Sequence, residues 1–525
     1  MVLVGRKATE QTALALTSDL AAYGERARWS GIYYRGEKIG FSVSQVTERE
    51  GGFKLQEDGQ MLLTLMGATT ASRLRTEVNV NSEYLMESFA FSLDPGTGPI
   101  AITGVLETPT RLAVRIVSPT SERSRTFDLK EPPVLALNLP KRLLAMGLTE
   151  GARHQIQIFD PATLTNGLAT LEIGAREVVR ILDKPVPAFK LNMTYSGIST
   201  TSWITEVGEV IKEESAMGMV VVRESRERAI AMAMSSGIKA DMIEAAAIQP
   251  ESKSPIDDPA SLKSLRLEFS GADLPGSPEE LNGAGQTVVG NVVMISDAND
   301  LKPGPVPADI QAFLAPEAFI ESDAPEIVAE TKKALDQAGA SVTTTSRKKA
   351  EFLVRYVNAA LEKKPTMSLP SAVEVLRTRV GDCNEHTALY VGMARAAGIP
   401  SRVAIGLVNL RGAFYYHAWP EVFVSDSKAS DGKSGVWIPV DPTLNQFPAD
   451  VSHVRLARGG FERQAAILPL LGRAKIKVLE MVDGPGDSNT RALVGADRKD
   501  TPALALDFPA AESKDSCWRR PTRRF

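Results

Sequence analysis

Between Trp29 and about Leu137 the chain breaks into strand-length runs at nearly regular intervals. Gly31 to Val46 reads as two strands around an Arg35-Gly36-Glu37 turn. Phe53 to Met66, Leu74 to Asn81, Tyr84 to Leu93, Ile100 to Thr108 and Arg111 to Pro119 follow, with turn residues between them. Runs of this length with regular turn signals predict an antiparallel all-β sheet. Pro140 to Met146 predicts a short helix with proline in its first turn. Further strands are expected at Ala188 to Tyr195, Thr200 to Thr205, Glu209 to Glu214 and Met217 to Arg223, then a helix over Ser225 to Met234.

At 525 residues the chain exceeds what one hydrophobic core usually serves, so two or three domains are expected. Residues 1–28 read as a loose or helical leader and 29–246 as a β-rich domain. Residues 247–314 read as a polar, proline-bearing linker with short strands, and 315–460 as a more helical α+β domain. Residues 461–482 form a C-terminal strand segment, and 483–525 are expected to be disordered. A formal net charge of -4 gives no reason to expect a nucleic acid partner, and no run is long and apolar enough to span a bilayer. Glu10 and Asp19 interrupt any signal-peptide core. The chain as given is therefore expected in the cytoplasm, or in a bacterial envelope if a leader is missing. The oligomeric state is not legible.

The chain has only two cysteines, Cys383 and Cys517, which excludes a disulfide framework and a four-cysteine zinc site within one chain. Chemistry concentrates between Ser371 and Thr443. There Arg379-Val-Gly-Asp-Cys-Asn-Glu-His-Thr387 precedes Tyr415-Tyr-His-Ala-Trp-Pro-Glu421 and Trp437-Ile-Pro-Val-Asp-Pro-Thr443. Asp382 and Glu385 have capping-box spacing, and Gly398 and Pro400 can close the helix they open. Cys383 is thus predicted in the first turn of a helix over about 383–397, where the helix dipole favours the thiolate. Phe414 to Val424 and Val436 to Val440 read as strands of a hairpin. If it is symmetric, Asp441 lies opposite Trp419 and diagonal to His417, within side-chain reach. A carboxylate there can hold the imidazole in one tautomer, and the imidazole can take a thiol proton.

These residues resemble the core of the transglutaminase-like superfamily: a cysteine opening a buried helix, a His-Ala-Trp-x-Glu strand, and an aspartate in Asp-Pro-Thr. The resemblance covers about residues 315–460. It implies a papain-like α+β fold with Cys383 as nucleophile, His417 as general base and acid, and Asp441 as orienter. It also implies a polypeptide or peptide substrate whose amide bond is cleaved or transamidated through a thioester. Trp29-x-Gly-Ile-Tyr and Gly36-Glu-Lys-Ile-Gly40 resemble the leading domain of bacterial envelope transglutaminase-like proteins. Two crosslinker features are missing. No tryptophan lies between 324 and 382 to serve an oxyanion, and no Asp-rich loop has calcium spacing. Tyr356 and Asn358 are the candidate oxyanion donors besides the Cys383 N–H.

Other residues receive plainer readings. His386 is expected to be structural, Trp419 a packing residue and Glu421 a solvated strand carboxylate. His154 and His453 lack local partners and read as surface or core residues. A zinc site from Cys383, His386, His417 and Asp441 has suitable ligand types, but a helix-start cysteine with strand His and Asp is the hydrolase arrangement. No metal and no cofactor is expected. Two alternatives stand beside the enzyme: a binding or scaffold protein with a vestigial core, and a peptide N-glycanase kind of amidase, whose paired-cysteine zinc module this chain lacks.

Overall fold

The computed structural model describes residues 20, 23–65, 68–94, 99–118, 122–195, 198–215, 218–231, 247–317, 319–364, 371–425, 434–470 and 473–484. Most of the expected leader, the continuation of the Ser225 helix past residue 231, and the tail with Cys517 lie outside these residues.

Among the described residues, fourteen strands between Arg28 and Glu224 form one antiparallel sheet. Two runs of sequential hairpins meet where Arg28–Tyr34 pairs with Met219–Glu224, in register from Trp29 opposite Glu224 to Tyr34 opposite Met219. The Arg35-Gly36 turn has positive φ at both residues, which matches the twist of a tight hairpin. Alternate residues enter the core, as in Met86–Asp94, where Phe89 and Phe91 pack with Ile102, Leu112 and Phe159. A second cluster gathers Leu139 and Leu143 of the Leu139–Met146 helix with Ile158, Leu171 and Leu191. Three strands, Glu122–Asp128, Arg153–Asp160 and Thr165–Ile181, are not among the runs named from sequence; the residues of the first are mostly charged and exposed.

From Ile248 onward the described chain shares one hydrophobic core, reaching Ile476. The segment read as a linker supplies Ile248 and Ile256 to it. Ile248 also exchanges two backbone hydrogen bonds with Phe414, at 2.8 and 2.9 Å. Isolated apolar residues in a polar, proline-bearing stretch give no periodic signal, so pattern alone cannot assign them to a core. A four-stranded sheet runs in the order Gln286–Val289, Val292–Ser296, Leu262–Ser270, Lys475–Asp483. A five-stranded sheet has Ala413–Val424 at its centre, between Ser434–Pro439 and Ser401–Leu410, with His453–Gly459 at one edge.

Helices Pro325–Gln337, Ser346–Ala360 and Ala372–Thr378 surround the Cys383–Ala396 helix. The Tyr390 hydroxyl donates to the Ala350 carbonyl at 3.1 Å, and Gly392 lets the Ala372 methyl approach. The Thr387 hydroxyl donates to the Ala418 carbonyl at 3.1 Å, which ties the helix to the central strand. The chain is thus β-rich, with helices gathered in its second half. The two halves touch through Phe319, which packs against both cores, and through the Arg123–Glu321 ion pair at 2.6 Å. Among the described residues no helix is long and apolar enough to cross a membrane.

Candidate active site at the cysteine helix and the histidine strand

The helix begins at Cys383, as its capping sequence predicts. The Asp382 carboxylate accepts from the Asn384 N–H at 3.0 Å, and the Glu385 carboxylate accepts from the Asp382 N–H at 2.9 Å. Gly381 is required there, since a Cβ on it would lie 2.2 Å from the Glu385 Cβ. Cys383 itself is half-buried, while Glu385 to Arg395 are buried throughout.

The electrostatics correct the thiolate expectation. Burial pushes the Cys383 thiol well above its ordinary value, and the negative charges of Asp382, Glu385 and Asp441 add to the push. The Ala418 N–H, hydrogen-bonded to the sulfur, works the other way. The same carboxylates that start the helix therefore oppose its dipole at the sulfur, on the side of the neutral thiol.

The hairpin register matches the sequence reading. Glu421 pairs with Pro439 and Val422 with Ile438, and the Val440 N–H donates to the Pro420 carbonyl at 2.9 Å. Continued two residues, this register sets Asp441 opposite Trp419. His417 Nε2 and Asp441 Oδ2 lie 2.7 Å apart. The other carboxylate oxygen accepts the N–H groups of Thr443 and Leu444, at 2.7 and 3.0 Å. Burial alone would raise the Asp441 carboxyl, but the His417 and His453 imidazoles outweigh it and hold the group well below the usual carboxylate range.

His453 is the residue that sequence reasoning missed. Its Nε2 lies 3.1 Å from the same Asp441 Oδ2, and its Nδ1 lies 3.3 Å from Asp450 Oδ1 and 3.2 Å from the Asp450 carbonyl. Burial opposes a charge on this ring, yet the two aspartates raise it to about 10. The strand that carries it reaches the site only by pairing with Ser401–Leu410, a contact with no local signature beyond the Asp450-x-x-His453 spacing. Gly406 permits the close approach of these two strands: a Cβ on it would lie 2.0 Å from the Val454 carbonyl oxygen. Trp419 stacks on His417 at 6.0 Å between ring centres and meets His453 edge-on at 5.2 Å, so it packs against both imidazoles.

Several expectations change. Glu421 is not a solvated carboxylate. It has no exposed surface and meets Arg402 at 2.8 Å, Arg458 at 3.1 Å, and Arg455. Neither candidate oxyanion donor is free for that task. The Tyr356 hydroxyl binds Glu330, and the Asn358 amide donates to the carbonyls of Pro442 and Thr443, at 2.8 and 3.1 Å. Asn358 instead anchors the loop that carries Asp441. His386 is buried, with Nδ1 2.6 Å from the Asp382 carbonyl and Nε2 without a partner among the described residues; burial lowers its pKa. His154 lies in the N-terminal sheet, opposite Leu171.

Among the described residues, His417, Asp441 and His453 are the group whose nitrogen and oxygen atoms come close enough for a metal, within 4.8 Å of one another. Both Nε2 atoms aim at one carboxylate oxygen, however, so the set is spent on hydrogen bonds. A cavity of about 440 Å³ lined by Gln286, Leu301, Phe423 and Trp437, among others, has no histidine, cysteine or carboxylate among the described residues of its wall. Cys383, His417 and Asp441 lie instead at the junction of helix and strand.

Residues 332–442 match the model of the Transglutaminase-like superfamily. The match takes in Cys383, His417 and Asp441 and ends before His453. No curated protein matches the chain. Among solved structures, the chain is similar to a β-barrel-like protein of a domain of unknown function from Brucella abortus. The identity is 11%, the coverage 38% of this chain and 94% of that one, and the TM-score 0.31. It is also similar to a candidate cysteine protease from Cytophaga hutchinsonii, at 17% identity, 41% and 83% coverage, and a TM-score of 0.25. Residues 332–442 of this chain are a transglutaminase-like superfamily domain.

Proposed function

We propose that the chain is a cysteine-nucleophile acyl-transfer enzyme acting on peptide or side-chain amide bonds of polypeptides, with a papain-like placement of the cysteine helix on the sheet. The observation that carries this reading is the buried His417–Asp441 hydrogen bond of 2.7 Å, one residue from the Ala418 N–H that donates to the Cys383 sulfur. Asp441 accepts from Nε2–H, which leaves Nδ1 of His417 as the base.

Because burial and the neighbouring carboxylates push the thiol upward, the proton moves as the bond forms. His417 Nδ1 takes the Sγ proton while sulfur attacks the amide carbon, and the carbonyl oxygen gains the negative charge. The Cys383 N–H, at a helix N-terminus, is one donor for that oxygen. His417 then returns the proton to the departing amine, and a thioester remains on Cys383. Water releases a carboxylic acid, or a second amine gives a new amide.

An activated acetyl ester tests this without knowledge of the natural substrate. Acetylation is followed by intact mass and mapped to Cys383 or Cys517, in the parent and in His417→Ala. Cys383 acetylation in the parent is expected to rise with a single deprotonation below about pH 8 and to fall at least about 100-fold in the variant. Equal rates in both proteins would leave the domain a vestigial core and move attention to the N-terminal sheet as a binding module.

A further inference from the structure

We infer that His453 is a positioning residue of this site: a second, cationic imidazole on the Asp441 oxygen that keeps His417 neutral and able to accept a proton. The inference rests on the reading of Cys383 and His417 given above. Asp441 Oδ2 receives His417 Nε2 at 2.7 Å and His453 Nε2 at 3.1 Å, so each ring must bring its own N–H. The second nitrogen of His453 also faces acceptors, the Oδ1 and carbonyl oxygen of Asp450. A ring whose two nitrogens both donate is an imidazolium.

The charges around His453 can be followed element by element. Asp441 and Asp450 come from the loop that precedes its strand. From the histidine strand come His417, at 5.7 Å between ring centres, and the uncharged Trp419. Val408 is its partner on the neighbouring strand. The cysteine helix sends charge influence toward Asp441 from Cys383 and His386, and burial disfavours a charge on either.

An aspartate with a single histidine draws that histidine toward the imidazolium, which cannot accept a thiol proton. The His453 cation opposes this. It takes part of the Asp441 charge and repels a second positive ring 5.7 Å away. The site then starts from a neutral thiol and a neutral base, matching the upward push on Cys383.

Only four histidines are present, so side-chain NMR of the full chain with labelled histidine resolves each titration. In the parent, His453 should stay doubly protonated from pH 5 to 9. In His453→Gln, which can still donate to Asp441 but carries no charge, the His417 midpoint should rise by about one pH unit. Asp450→Asn, which keeps the ring and weakens its charge, should move His417 the same way by less. It serves if the first variant does not fold. A merely structural His453 predicts loss of stability with an unmoved His417 midpoint, and that result overturns the assignment, as does a His453 that loses its proton below pH 7. Paired with the acetylation assay, the failures separate. Cys383 acetylation that ignores His417 removes the site and this role together; acetylation that needs His417, with an unmoved midpoint, removes this role alone.

Discussion

His453 and Asp450 make the site's stability depend on pH in both directions. His453 has a folded value of about 10, against about 6.5 in an unfolded chain. Its contribution is complete below about pH 6.5 and fades as pH climbs toward 10. For Asp450, burial raises the carboxyl, but His453 and Ser452 outweigh it and hold it at about 2. That contribution is complete above about pH 4 and is lost as pH falls toward 2. The Tm difference between the parent and His453→Gln is therefore expected to peak between about pH 4 and 6.5 and shrink on both sides. A difference independent of pH would mean the ring acts by packing alone. Glu421 shows the same principle with three partners. Burial alone would raise its carboxyl, but Arg455, Arg458 and Arg402 hold it well below the usual range. Two of those arginines also bind carbonyls of residues 279–283, so one strand carboxylate organises a loop far away in sequence.

At the scale of elements, the cysteine helix separates two effects that a capping sequence normally delivers together. Asp382 satisfies the first-turn N–H groups, and its charge also raises the thiol. Asp382→Ser keeps a capping oxygen and removes the charge. Helix stability is then expected to change by less than about 1 kcal/mol, while the thiol becomes more acidic. Iodoacetamide labelling of Cys383 at pH 8 should speed up several-fold. Unchanged labelling would mean that Asp382 has no share in setting the thiol. The hairpin next to it obeys its register closely because both strands are largely buried, where a one-residue slip would turn His417 away from Asp441.

For the whole molecule, the chain closes on itself well outside the matched domain. Lys475–Asp483 adds an edge strand to the sheet begun by Leu262–Ser270, and Ile476 of that strand is 1% exposed in the core that also holds Leu389 and Val422. Ile476→Ala should cost about 2–5 kcal/mol, read as a lower denaturant midpoint for the whole second half, with the His417 and Asp441 positions melting in the same transition. Separate melting would make the edge strand an independent addition. The N-terminal sheet meets this body through Phe319 and the buried Glu321, whose oxygens accept from Ser371 and from the Val373 N–H as well as pairing with Arg123.

Local chemistry carried much of this architecture. Turn residues at short intervals foretold the antiparallel hairpins, Asp382 with Glu385 foretold where the cysteine helix starts, and the spacing from His417 to Asp441 foretold their pairing. Each depends on residues near in sequence, where backbone geometry leaves few choices. What tertiary structure alone decided was the electrostatic state of those groups. The upward push on the thiol, the three arginines on Glu421, the burial of Ile248 and Ile256, and above all the arrival of His453 at Asp441 follow from strand pairings between distant segments. A side chain's charge depends on burial and on which charges lie within a few ångströms, and long-range pairing sets both.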